Sequence, residues 1–149
     1  MERRGGQKPR ADPIKGIFSE NSAVAKLKKT ILVVDDDPAS RTLLREILRE
    51  DGYDILEAED GELALELLES KPVDLLITDR SMPRLGGMEL LAKMHEKGIT
   101  IPALVISAYG EETFWGQAIG LGAVDYLLKP YKTDDVLKIV RKALGGKSS

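Results

Sequence analysis

Asp74-Leu75-Leu76-Ile77-Thr78-Asp79-Arg80-Ser81-Met82-Pro83 is a short apolar run that stops abruptly at an acid and passes into a proline-marked turn. Pro72 and Pro83 bound it. A run of this length suits a strand buried on both faces. Asp79 then sits at the strand's carboxyl end, where open α/β sheets hold their ligands. Taken alone, the stretch fits equally well an acid that merely caps a loop.

Similar runs lie on either side. Thr30-Ile31-Leu32-Val33-Val34 is β-branched and continuous, and it ends in Asp35-Asp36-Asp37-Pro38. Pro38 suits the first position of a helix with Asp37 as its N-cap. Leu43, Leu44, Ile47 and Leu48 then recur at helical spacing to about Glu50, and Gly52 stops the helix. A short strand is expected over Tyr53 to Glu57. Asp60-Gly61 opens a helix with Leu63, Ala64, Leu67 and Leu68 on one face. Beyond Pro83, a helix carrying Met88, Leu91 and Met94 ends near Gly98. Ile101–Ile106 reads as a strand that closes in Ser107-Ala108, and a weak helix follows from about Glu111 to Leu121. Val124–Leu128 is the last strand and runs into Lys129-Pro130. Thr133 is expected to cap the final helix, whose stripe is Val136, Leu137, Val140 and Leu144, ending at Gly145-Gly146.

Five strands alternating with five helices imply right-handed βαβ crossovers. The expected fold is α/β, a flavodoxin-like (βα)5 doubly wound parallel sheet in the order 2-1-3-4-5. In that order the first and third strands are neighbours, with the switch point between them. Asp35, Asp36 and Asp79 would share one crevice, flanked by Ser107 and Lys129. Crowded carboxylates repel one another, and a cation relieves them. An oxygen-only set suits Mg2+. A cation, an ammonium and a hydroxyl around one carboxylate would also steady a phosphoryl group upon it, which makes Asp79 a candidate nucleophile.

Composition narrows the classes. The 149 residues suffice for one domain with a substantial core. The chain has no cysteine, which excludes a disulfide framework, a thiolate metal site and a cysteine nucleophile. No apolar run approaches the ~18 residues of a membrane helix, and the basic N-terminus lacks the apolar core of a secretory signal. A cytoplasmic protein with no membrane role is expected. Residues 1–29 carry eight Lys/Arg against three Asp/Glu, whereas the rest is acidic. Residues 1–29 are read as a basic flexible tail or linker, 30–146 as the folded domain and 147–149 as a C-terminal tail. An acidic body is a poor partner for nucleic acid, so no direct DNA binding is expected.

The pieces Val33-Val34-Asp35-Asp36-Asp37, Thr78-Asp79 with Met82-Pro83, Ser107-Ala108, and Asp125-Tyr126-Leu127-Leu128-Lys129-Pro130 stand in order at successive strand ends. In this the sequence resembles the receiver domain of two-component response regulators, chemotaxis regulators included, over about residues 30 to 145. The resemblance implies that Asp79 accepts a phosphoryl group from a phosphohistidine on a sensor histidine kinase or histidine phosphotransfer protein. It implies that Asp35, Asp36, Asp79 and the Ser81 backbone carbonyl hold Mg2+, and that Ser107 and Lys129 contact phosphoryl oxygens. It makes Tyr126 an aromatic switch that follows Ser107, and the Lys129–Pro130 bond cis.

Such a chain would be a stoichiometric switch that phosphorylates and dephosphorylates itself, not a turnover enzyme. Its output would pass through the surface of the fourth helix, fifth strand and fifth helix, with Trp115, Ile119 and Tyr126 meeting a downstream protein. No attached output domain is expected, and the chain would be a monomer or a phosphorylation-dependent dimer. Ser81 and Tyr109 offer neither carboxylate nor amide to orient an attacking water, which implies slow self-dephosphorylation. His95, among Lys93, Glu96 and Lys97, is read as an exposed structural residue. Two alternatives stand beside this reading. One is a haloacid-dehalogenase-type phosphatase, although Pro38-Ala39 follows the acidic loop where Gly-Thr or Val-Thr is expected. The other is an FMN-binding flavodoxin, although acid occupies the loop that should hold phosphate.

Overall fold

The computed structural model describes residues 28–108 and 112–145. The expected tail over 1–29, apart from Lys28 and Lys29, lies outside the described residues. So do Tyr109 and residues 146–149.

Among the described residues, five strands alternate with five helices. The strands are β1 (Thr30–Val34), β2 (Asp54–Ala58), β3 (Leu75–Asp79), β4 (Ala103–Ser107) and β5 (Ala123–Leu128). The helices are α1 (Pro38–Glu50), α2 (Gly61–Ser70), α3 (Gly87–Glu96), α4 (Glu112–Gly120) and α5 (Thr133–Leu144). The strands form one sheet in the order β2-β1-β3-β4-β5, and every pairing is parallel. This is the expected flavodoxin-like order.

The two-residue period of the strands divides the core in two. Leu32 and Val34 of β1, Leu76 of β3 and Val105 of β4 face one side, against Ala64 of α2, Leu90, Leu91 and Met94 of α3, and Ala118 of α4. Ile31, Val33, Leu75, Ile77, Leu104 and Ile106 face the other, against Leu44 and Leu48 of α1 and Val136 and Val140 of α5. Continuous apolar runs therefore serve both faces at once, as a covered parallel sheet requires.

Three local expectations need correction. Leu43 is 54% exposed and Leu63 is 36% exposed. Each helix touches the sheet through a narrower stripe than its leucines suggest: Leu44 and Leu48 in α1, and Ala64 in α2, are the buried contacts. Thr133 does not cap α5. It is the first helical residue, Lys132 occupies the cap position, and no side chain caps the helix there. Asp134 and Asp135 do lie in that first turn, against the positive end of the helix dipole. Asp37 caps α1 as expected, with its carboxylate accepting from the Ser40 amide at 3.3 Å and the Ser40 hydroxyl at 2.8 Å.

Candidate functional site

Each strand delivers its functional residue at the same end of the sheet. Asp35 directly follows β1, Asp79 closes β3, Ser107 closes β4, and Lys129 follows β5. Because β1 and β3 are paired, with Val34 opposite Thr78, the acids at their ends come together. One carboxylate oxygen from each of Asp35, Asp36 and Asp79 lies within 4.8 Å of the others. Asp35 is buried, Asp79 is half-buried and Asp36 is exposed, so the cluster opens on one side.

The backbone around the cluster is fixed. The Asp35 amide donates to the Ala58 carbonyl at 3.1 Å, and the Arg80 amide to the Ile106 carbonyl at 3.0 Å. Asp35 Oδ1 accepts from the Asp37 amide at 2.9 Å. The Lys129 amide donates to the Ser107 carbonyl at 2.8 Å, which ties the two strand ends together. The Lys129–Pro130 peptide is cis. Ser107 is buried, and Tyr126 is buried in the α4-side core. Ser81 is exposed on the loop after β3 and lines an open cavity of about 300 Å³ with Arg80, Met82, Gly86, Met88 and Glu89.

Lys129 Nζ lies 3.3 Å from Asp79 Oδ1 and 3.5 Å from Asp35 Oδ2. Burial pushes the Asp79 carboxyl above its ordinary pKa, and Asp35 adds to this against the pull of Lys129. For Lys129, burial works against the charged form, but the Asp79 and Asp35 carboxylates outweigh it and raise the ammonium's pKa. One lysine therefore leaves the acid cluster under-neutralised.

The donor set fits Mg2+. All three side chains offer hard oxygen, and octahedral bonds of about 2.0–2.1 Å put opposite ligands about 4.2 Å apart. The three oxygens lie within 4.8 Å of one another, a spacing compatible with that span, and Asp36 faces the solvent that would supply the remaining waters.

Sequence reasoning passed over the support behind this cluster. Glu57 of β2 accepts from Arg41 Nε at 3.2 Å and from Arg45 Nη1 at 2.8 Å. Arg41 Nη1 also donates to the Asp35 backbone carbonyl at 2.8 Å. Two arginines one helical turn apart and a charged residue inside a strand were the available signal.

A family model described as the response regulator receiver domain matches residues 31–141. The sporulation initiation phosphotransferase F of Bacillus subtilis is 32% identical over 123 residues, covering 83% of this chain and 99% of that protein. The alkaline phosphatase synthesis transcriptional regulatory protein PhoP of the same species is 36% identical over 118 residues, covering 79% of this chain and 49% of that protein. The chain spans about half the length of several curated relatives it matches. Among solved structures, the receiver domain of the Francisella response regulator 1452 superposes with a TM-score of 0.76 at 29% identity, covering 79% of this chain and 98% of that one.

Proposed function

The chain belongs to the response regulator receiver domain family, and from that membership we propose that Asp79 is its phosphoacceptor. Membership makes it a phosphorylation switch of two-component signalling and not a classical turnover enzyme. It also sets aside the phosphatase and flavin alternatives. The observation that carries the assignment of Asp79 is the convergence of its carboxylate with those of Asp35 and Asp36 within 4.8 Å, beside Lys129 at 3.3 Å.

The donor is a phosphohistidine on a sensor histidine kinase or a histidine phosphotransfer protein. An Asp79 carboxylate oxygen attacks phosphorus and forms the new P–O bond. The P–N bond breaks, and its electron pair leaves with the imidazole, which takes up a proton. Asp35, Asp36, Asp79 and the Ser81 carbonyl would hold Mg2+, which when bound would supply positive charge against the phosphoryl oxygens. Lys129 Nζ, already between Asp79 and Asp35, turns to a phosphoryl oxygen once Asp79 carries the acyl phosphate. The Ser107 hydroxyl donates to another. Attack by water on the phosphorus later returns the carboxylate and inorganic phosphate. Ser81 and Tyr109 bring neither a carboxylate nor an amide to orient that water, which supports a slow return.

Output runs through α4, β5 and α5. Trp115 and Ile119 of α4 are 48% and 45% exposed, and Val124 and Leu128 of β5 are each 47% exposed. Four large apolar side chains in that region support a protein-docking surface. Tyr126 lies between the two β5 residues in sequence but is buried, so it acts from beneath, by following Ser107 when that residue engages the phosphate. The cytoplasmic location expected from the sequence is part of this reading. Among the described residues, no helix is long and apolar enough to cross a membrane.

The test is incubation with Mg2+ and acetyl phosphate, followed by intact mass, for the wild type and Asp79→Asn. The wild type should gain one phosphoryl group and Asp79→Asn none. Equal labelling of both would refute the assignment.

A further inference from the structure

The loop that leaves Asp79 is held from outside by the start of α2. Asp60, 5% exposed, accepts at one oxygen from the Leu63 amide at 2.9 Å and caps that helix. Its other oxygen, Oδ2, accepts from Arg84 Nε at 3.0 Å and from Arg84 Nη2 at 2.6 Å. Arg84 is the one non-glycine residue with positive φ among the described residues, at 68°. That left-handed conformation is unfavourable for a side chain with a Cβ, and glycine would adopt it freely. An arginine in that place keeps a conformation it disfavours while its guanidinium stays on Asp60. Such an outlier points to a constraint beyond chain reversal.

Glycines fix the loop on both sides. The Gly61 amide donates to the Leu85 carbonyl at 3.1 Å, and a Cβ on Gly61 would stand 2.5 Å from that oxygen. The Gly87 amide donates to the Arg80 carbonyl at 2.8 Å, and a Cβ on Gly87 would collide with the backbone carbonyl of Asp79. No slack therefore separates α2 from the loop, or the loop's end from the backbone of Asp79. The position of Ser81 is set between these contacts.

We infer that Asp60 and Arg84 are positioning residues that clamp the 80–87 loop so that the Ser81 carbonyl stays aligned with the carboxylates of Asp35, Asp36 and Asp79. The inference rests on the metal site proposed above. It predicts that the clamp tunes metal affinity through backbone placement, although neither side chain touches the metal.

Two variants test it with the fold preserved. Asp60→Asn keeps a good N-cap acceptor for Leu63 but removes the charge that holds Arg84. Arg84→Gly removes the guanidinium and relieves the left-handed backbone. Mg2+ affinity is read by titration calorimetry, and loop order by amide hydrogen exchange over residues 81–86 without metal. Each variant should bind Mg2+ roughly tenfold more weakly, the usual cost of losing an outer support of a metal site. Exchange over 81–86 should quicken, and the double variant should be no worse than either single one. Arg84→Lys should recover only part of the affinity, because an ammonium cannot reproduce the two-pronged contact. Unchanged affinity and exchange in both single variants would overturn the clamp. A wild type that binds no Mg2+ would instead overturn the metal site, and the exchange arm would still report whether the clamp orders the loop.

Discussion

At the amino end of the sheet, the Asp51 carboxylate meets the Arg141 guanidinium through two hydrogen bonds of 3.0 and 2.6 Å. At the carboxyl end, Asp35, Asp36 and Asp79 share Lys129, which reaches Asp79 at 3.3 Å and Asp35 at 3.5 Å. The first arrangement meets an acid with a two-pronged base and ties the last turn of α5 to the end of α1. The second leaves negative charge over and, through burial first, raises the pKa of Asp79. A fold optimised only for stability would not gather acids in this way. The imbalance at one end is what a cation and a phosphoryl group can relieve, while the balanced end holds the frame still.

The comparison can be broken most severely at Gly87. Gly87→Ala pushes a Cβ against the Asp79 carbonyl and should cost about 1–3 kcal/mol of folding stability, the usual range for overpacking. Urea denaturation measures it. Substitution at the amino end should be milder: Asp51→Ala removes the two-pronged contact with Arg141 and should lower the thermal midpoint by less than Gly87→Ala does.

The unbalanced end should respond with the opposite sign. The folded-state pKa of Asp79 lies above its ordinary value of 3.8, so the native chain binds that proton more tightly than the unfolded chain. Its contribution to stability is fully present below about pH 3.8 and is lost as pH rises through the raised pKa. Asp79→Asn should therefore be more stable than wild type at neutral pH without metal. The gap should open with rising pH and then level off. Saturating Mg2+ should shrink or reverse it, because the wild type gains binding energy that the variant lacks. Thermal melts across pH, with and without Mg2+, check both signs.

The smallest stability effect belongs to the exposed face of α4. Trp115→Ala should alter folding stability by no more than about 0.5 kcal/mol, because the side chain is nearly half exposed. It should nonetheless weaken capture of the downstream protein by the phosphorylated chain. A large stability loss would mean that Trp115 belongs to the core.

The acids were legible because they follow apolar runs directly, and the parallel sheet follows from strict alternation. The 2-1-3-4-5 order was an expectation of the flavodoxin-like fold that alternation alone does not decide. Given that order, Asp35, Asp36 and Asp79 could be brought together. Leu43 and Leu63 were not legible as exposed, because helical spacing alone does not say how wide a stripe the sheet will cover. Lys132 took the cap position in place of Thr133 because the helix starts a residue earlier than the hydroxyl suggested. The braces at Glu57 and Asp60 escaped because each joins residues distant in sequence: Arg41 and Arg45 to a strand end, and Arg84 to a helix start. Pattern reveals what one element wants. It does not reveal which neighbour satisfies it.

The most direct measurement is the site of labelling after exposure to acetyl phosphate and Mg2+, mapped by peptide mass spectrometry. The account predicts one phosphoryl group per chain, on the peptide containing Asp79, and none in Asp79→Asn. Labelling elsewhere, or labelling that persists in Asp79→Asn, would contradict it.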